Sequence, residues 1–402
     1  MAEHTSLPLE GIRVIELAQW VAGPSTAGLM ADWGADVVKV ESPDGDPQRR
    51  FFSALGIDKE LPNPAFAQDN RGKRSIVVDL FSEDGHATFE RLLEGADVFL
   101  TNLRPQALDR MDLDPATVLE RHPTVVVAAQ TGYGSVGPER NTPGYDIGAF
   151  VARTGMARTN RPLAEAPVNL RSAIGDHTTG LATCAGVLAA LVERGRTGRG
   201  RLVETSLFQT GLYAMSLDLS TQATLGRLGS MKPRDDFPTP MVNSYRAADD
   251  RWFYLIGVEA ARHFPALCHA IGRPELIDDE RFASASGIAR NRVDLIAVLD
   301  ETFASEELDH WAELFAQHDV WWAPCQTAAE VVADPQAAAL DTFVETIDGD
   351  QRLTTVVAPV RFDGRAPAAT GPVPALGQHT DEVLAELDRS VPRRKPGNDP
   401  PR

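Results

Sequence analysis

A carboxylate, Asp176, stands in the run IGDHTTG (174–180), directly ahead of a long stretch with helical apolar spacing. Two roles fit that position. As a helix N-cap its side chain would accept backbone N–H bonds. As a nucleophile it would be kept ionised by the positive end of the helix dipole, with Gly175 leaving room for a substrate to approach. A carboxylate attacks carbonyls poorly, so its partner must be activated as a thioester is. Spacing alone leaves both roles open. His177 follows at once, but successive helical residues point about 100° apart, so it is expected to stand aside.

Other candidate motifs lack a part their chemistry needs. GYGSVG (132–137) has the glycine spacing of a dinucleotide fingerprint and follows a predicted strand, but Pro138 and Pro143 come next where a helix must open. The first strand–helix–strand unit ends on Glu41, the ribose position of a dinucleotide site. Its turn, VAGPSTAG, has only Gly23 and Gly28, without the tight-turn glycine pair. RGKRS (71–75) has Arg74 where a P-loop needs Ser or Thr. HExxH, CxxC and GxSxG are all missing, so neither a zinc site nor any other metal is expected.

The elements that must hold Asp176 alternate along the N-terminal half. Strands are predicted at Ile12 to Leu17, Asp36 to Glu41, Ser75 to Leu80, Asp97 to Leu100, Thr124 to Gln130 and Leu202 to Thr205. Pro24 is placed to open a helix reaching Trp33, Ser82 to cap one reaching Glu94, and a long helix runs from Asp176 to Arg194. Such alternation implies a parallel sheet with helices on both faces. GRLGSMKPRDDFPTP (226–240) reads as a linker. Residues 243–258 read as a hairpin or meander turning at Asp249 and Asp250, 260–329 as helical, TTVVAPVRF as strand-like, and Thr380 to Leu387 as a last helix.

Charge and length narrow the class. The chain has 402 residues, with 39 Lys+Arg against 57 Asp+Glu for a net −18, which argues against a nucleic-acid partner. No run of about 18 strongly apolar residues predicts a membrane span. The N-terminus lacks a signal layout and the three cysteines are widely spaced, so the cytoplasm is the expected compartment.

Eight blocks in order then carry a resemblance: LEGIRVIEL with VAGP and GADVVKVE, NRGKRSIVVDL, ADVFLTNLRPQALDRM, TGYGSVGP with PGYD, IGDHTTG, RTGRGR, IGRPELIDDERF and LGQHTDEVLAEL. Together, from about residue 8 to 387, they resemble the family III CoA-transferases. Formyl-CoA and carnitine CoA-transferases belong there, and α-methylacyl-CoA racemase is a relative.

The resemblance implies an α/β fold: a Rossmann-like large domain with a parallel sheet, built from both chain ends, plus a smaller inserted α+β domain, in an interlocked homodimer. The expected boundaries are 1–225 and 331–387 for the large domain, 226–330 for the small one with its linkers, and 388–402 for a disordered tail. It implies a CoA-transferase moving CoA from an acyl-CoA donor to a carboxylic acid acceptor, with no prosthetic group; coenzyme A enters as substrate. Asp176 falls on the catalytic aspartate, passing through aspartyl anhydride and aspartyl-CoA thioester. Val21, Ala22, Val78, Phe81, Asn102, Leu103, Arg104, Arg110 and Tyr145 fall on CoA-contacting positions, the two arginines suiting phosphate. Ser42 and Pro143 replace basic residues of formyl-CoA transferase, which leaves Arg71, Lys73 or the partner chain to supply charge. No glycine run of the kind that shields intermediates in that enzyme is present, GRLGSMKP being the nearest stretch.

The alternative is an acyl-CoA racemase or isomerase working by α-proton transfer. That relative uses a histidine where PGYD has Tyr145, with a reference pKa of about 10 against about 6.5 for histidine, and a glutamate that aligns with Glu259. A tyrosine shuttles protons poorly near neutral pH, so transfer is favoured.

Overall fold

The computed structural model describes residues 6–58, 61–162, 165–168, 170–171, 173–366 and 371–389. Six strands, β1 (Arg13–Leu17), β2 (Asp36–Glu41), β3 (Arg74–Val77), β4 (Val98–Thr101), β5 (Val126–Thr131) and β6 (Leu202–Ser206), form one sheet in the order β3-β2-β1-β4-β5-β6. Every pairing is parallel; Ile15 lies between Val38 of β2 and Phe99 of β4. β1, β2 and β4 are buried at nearly every position, the charged Glu16, Lys39 and Glu41 included, because both faces of the sheet are covered.

Eight helices matter for the site: α1 (Ala22–Asp32), α2 (Pro64–Asn70), α3 (Glu83–Glu94), α4 (Pro105–Arg110), α5 (Pro115–Arg121), α6 (Ile174–Thr197), α7 (Leu207–Ala214) and α8 (Ser216–Leu225). On one face of the sheet, Ile15, Val38, Ile76 and Phe99 pack with Phe89 and Leu92 of α3, Leu108 of α4 and Val118 of α5. On the other, Val14, Val37, Val98 and Val126 pack with Ala27 and Met30 of α1 and Val187 of α6. The period of two along each strand sends its neighbours to opposite cores. Ser82 caps α3 as expected, its Oγ accepting from Gly85 N–H at 3.0 Å.

A second compact unit comprises residues 157–168 and 227–335, the two pieces joined by a parallel bridge between Pro162 and Met231. Its antiparallel sheet holds β7 (Ser244–Arg246), β8 (Trp252–Leu255) and β9 (Trp322–Pro324). The first two make the expected hairpin, with Asp250 at φ 63° in its turn. β9 was not foreseen within 260–329: three residues are too few to show a period of two. Phe253, Phe303, Trp311 and Phe315 centre this unit's core. Arg234 ties the Gly- and Pro-rich stretch to it through Asp300 at 2.5 Å, so that stretch is anchored rather than a free linker.

The chain then returns to the first unit with the hairpin β10 (Phe343–Asp348) and β11 (Gln351–Val356). Only the first part of TTVVAPVRF is strand. The last helix, Thr380–Arg389, sends Val383 and Leu387 into the core beside β3. Its Glu386 takes Arg13 at 2.5 Å and Arg74 at 2.7 Å, so both chain ends build this unit. Residues 388 and 389 belong to that helix; the rest of the expected tail, 390–402, lies outside the described residues. Among the described residues no helix is long and apolar enough to cross a membrane.

Candidate active site

α6 starts two residues earlier than its periodicity predicts. Ala173, in the left-handed region at φ 51° and ψ 42°, turns the chain into the helix, and Asp176 occupies its first turn. Asp176 is therefore not the N-cap, and makes no capping bond. A different carboxylate takes that part: Asp146 Oδ1 accepts from Gly175 N–H at 3.2 Å. Asp146 is delivered by a turn of π-helix, Ile147–Ala152. Gly175 is buried against that turn, and a Cβ there would overlap Asp146 Oδ1 and the Phe150 ring. Its lack of a side chain thus serves packing, where substrate access was the expected reason.

The surroundings of Asp176 are mostly acidic. Burial, then the charge of Asp146, pushes its carboxyl up to about 7, with His177 opposing and Asp69 adding. Asp146 is itself raised by burial, against the Gly175 N–H bond. His177 does not stand aside: its Nε2 lies 3.2 Å from Oδ1 of buried Asp69, and its Nδ1 lies 3.1 Å from the Ala173 carbonyl oxygen. The bond to Asp69 leads the causes that push His177 up to about 9, against burial. Asp69 and Asp146 were missed by sequence reasoning. Asp146 had a local signal, beside Tyr145 in PGYD; Asp69 had none, since α2 meets α6 only in space.

The loops at the carboxyl ends of β1 and β4 flank the point where the strand order reverses, the usual ligand crevice of such sheets. Asn102 spans it: its Oδ1 accepts from Gln19 N–H at 2.9 Å and its Nδ2 donates to Gln19 O at 2.7 Å. The amide is thereby committed to the β1 loop. Trp20, at φ 64°, follows, and Val21 and Ala22 open α1. The start of α1 lies against the first turns of α6, where Thr26 Oγ1 donates to Gly180 O at 3.3 Å. The exposed ring of Tyr145 meets Trp20 edge-on at 5.9 Å.

The other expected contacts sort by exposure. Arg104 and Arg110, at the two ends of α4, are exposed and form no ion pair among the described residues. Phe81, 75 % exposed, shares an open cleft with Arg110, Ser82, His86 and Met111. Leu103 packs against the core, and Val78 is buried in it. Only the backbone of Val78 is left for a ligand, and its N–H already bonds Glu41 O at 2.9 Å.

A buried charge network accounts for the residues that cannot serve a ligand. Lys39 reaches Glu16 and Asp46, each at 2.9 Å, and Lys73 reaches Glu16 at 2.7 Å; all four are sealed from solvent. Asp46 Oδ1 accepts from Trp20 N–H at 3.0 Å, and Lys73 Nζ donates to Pro24 O at 2.9 Å, so the network fixes the β1–α1 loop from beneath. Arg71 is likewise consumed, at 2.5 Å from Asp32. Arg71 and Lys73 are therefore corrected from ligand-facing charges to internal ones. Glu41 is taken by Arg49 at 2.6 Å and Ser75 Oγ at 2.6 Å, leaving no free carboxylate at the ribose position.

Fold and site together define an α/β protein with Rossmann strand order and a carboxylate at the start of a helix beside the crevice. CoA-transferase family III matches residues 9–380, and the chain belongs to that family. It is 32% identical over 385 residues to (R)-2-hydroxy-4-methylpentanoate CoA-transferase of Clostridioides difficile, covering 94% of this chain and 95% of the relative. It is 31% identical over 391 residues to cinnamoyl-CoA:phenyllactate CoA-transferase of Clostridium sporogenes, covering 96% and 94%. The crystal structure of a CAIB/BAIF family protein from Brucella suis superposes with TM-score 0.84 at 30% identity, over 95% of this chain and all of that one. The protein is a CoA-transferase with acyl-CoA as substrate.

Proposed function

We propose that the enzyme transfers CoA between an acyl-CoA and a carboxylic acid through covalent intermediates on Asp176. The observation that carries this reading is the setting of Asp176: half-buried in the first turn of α6, which packs against the start of α1 at the carboxyl end of the sheet. Its carboxylate attacks the thioester carbonyl; the C–S bond breaks, and CoA leaves as thiolate from a mixed anhydride. The thiolate then attacks the aspartyl carbonyl, releasing the donor acid and leaving an aspartyl-CoA thioester. The acceptor carboxylate displaces CoA to form a second anhydride. Thiolate attack on its acceptor carbonyl yields the new acyl-CoA and regenerates Asp176. Arg104 and Arg110 hold CoA phosphates, with Phe81 beside its nucleotide; Val21, Ala22, Leu103 and Tyr145 border the chain that leads to Asp176. Asn102 acts by fixing the loop, and Val78 by its backbone.

The acid partner is the variable part. Relatives are named for a branched 2-hydroxy acid, phenyllactate and glutarate. The working unit is an interlocked homodimer; exposed Tyr213, Leu217 and Leu225 on α7 and α8 offer apolar surface to a partner. The test is trapping. Incubation with a donor acyl-CoA, then hydroxylamine or borohydride, is expected to modify the peptide containing Asp176. Modification of another carboxylate instead removes Asp176 from the role.

A further inference from the structure

We infer that His177 is a positioning residue of the transfer reaction, held as an imidazolium between Asp69 and the Ala173 carbonyl so that its charge favours the ionised form of Asp176. The inference rests on the reading of Asp176 as the nucleophile. A carbonyl oxygen only accepts hydrogen bonds, and an ionised carboxylate likewise only accepts. The two ring nitrogens face one of each, at 3.1 Å and 3.2 Å. A neutral imidazole has one N–H and would turn a lone pair towards one acceptor; only the cation satisfies both. Asp69 is 4% exposed and cannot exchange this partner freely for water.

The charges around Asp176 explain what the cation does. Asp146 faces it from the π-turn and Asp69 from α2, both raising its pKa together with burial; His177, on α6 itself, acts the other way. Lys73, the other cation acting on Asp69, is committed to Glu16 at 2.7 Å. Three carboxylates therefore converge on the start of α6, and the imidazolium offsets their mutual repulsion. Burial of Asp69 on α2 makes that offset a fixed property of the fold, and the His177 pKa of about 9 fits a ring that stays charged at neutral pH.

The test pairs a pH profile with a chemical probe. In His177→Gln, the acid limb of kcat/KM for transfer is expected to move up by about one pH unit, as removal of a neighbouring opposite charge does. Activity then falls about fivefold at pH 7 and recovers above about pH 9. His177→Lys, which keeps a cation, is expected to stay nearer the parent profile. An unmoved limb, or a loss equal at every pH in a folded variant, overturns the inference. Diethyl pyrocarbonate, which acylates an imidazole only in its neutral form, tests the parent enzyme directly. The His177 side chain is 42% exposed, so access is not limiting. Its peptide is expected to react about a hundredfold more slowly at pH 7 than a fully neutral imidazole, and more slowly than exposed His310. Asp69→Asn should release that protection. Reaction of His177 at the rate of His310 in the parent protein overturns the inference even if no variant folds. Retention of transfer by Asp176→Asn, in contrast, removes the nucleophile reading and leaves the diethyl pyrocarbonate result untouched.

Discussion

Replacing Asp176 by Asn is expected to stabilise the protein at alkaline pH while abolishing transfer. The native carboxyl is lifted from its ordinary 3.8 to about 7, mainly by burial and then by Asp146. Between those values the native state holds a proton that the unfolded chain has released. Stability therefore falls as pH rises through that window. Each pH unit is worth about 1.4 kcal/mol, and the full shift amounts to roughly 4 kcal/mol at most. Solvent reaches one side of this half-buried group and screens part of it, which leaves about 1–3 kcal/mol. Asn removes the charge, so near pH 8 the variant should melt a few degrees above the parent. Below about pH 3 the carboxyl is protonated in the folded and the unfolded chain alike and the difference should vanish. Thermal unfolding of both proteins from about pH 3 to pH 8, followed by tryptophan fluorescence, gives this difference directly. A capping role would give no gain, because Asn caps a helix about as well as Asp. A variant melting at or below the parent at pH 8, or a difference that ignores pH, refutes the assignment of a strained carboxylate.

Arg104→Ala and Arg110→Ala should each raise KM for acyl-CoA about ten- to a hundredfold, from roughly 1.5–3 kcal/mol of lost charge-assisted bonding, with little change in melting temperature because neither is ion-paired among the described residues; normal CoA binding in calorimetry sinks the phosphate assignment. Gly175→Ala gains up to about 1 kcal/mol of helix propensity, but its Cβ would lie 2.6 Å from Phe150 Cβ, so overpacking of about 1–3 kcal/mol should dominate; a melting temperature at or above the parent's contradicts the packing described. Interlinked chains part only by unfolding, so mass photometry at nanomolar concentration should find dimer alone, and a rapidly reversible monomer–dimer equilibrium counts against the interlocked arrangement.

Local sequence determined the parallel sheet. β1, β2, β4 and β5 are short strand-like runs alternating with helix signals, so their existence and parallel direction follow from local pattern, whereas the pairing of β1 with β4 that reverses their order is tertiary. The Asp176 motif was legible for the same reason: a carboxylate before an apolar-periodic helix is a local feature, and the ordered blocks gave it a family. The details of the site were not local. Where α6 begins depends on the left-handed turn at Ala173, which an alanine does not announce. Whether Arg71, Lys73 and Glu41 serve a ligand or the core depends on partners far along the chain or across strands, and Lys73 finds Glu16 only because β3, β2 and β1 lie side by side. Asp69, Asp146 and His177 come from three separate segments and meet where α2 and the π-turn pack on the start of α6. Charge at one residue is a property of its sequence; the pKa that sets its chemistry is a property of its neighbours, and tertiary packing alone chose them.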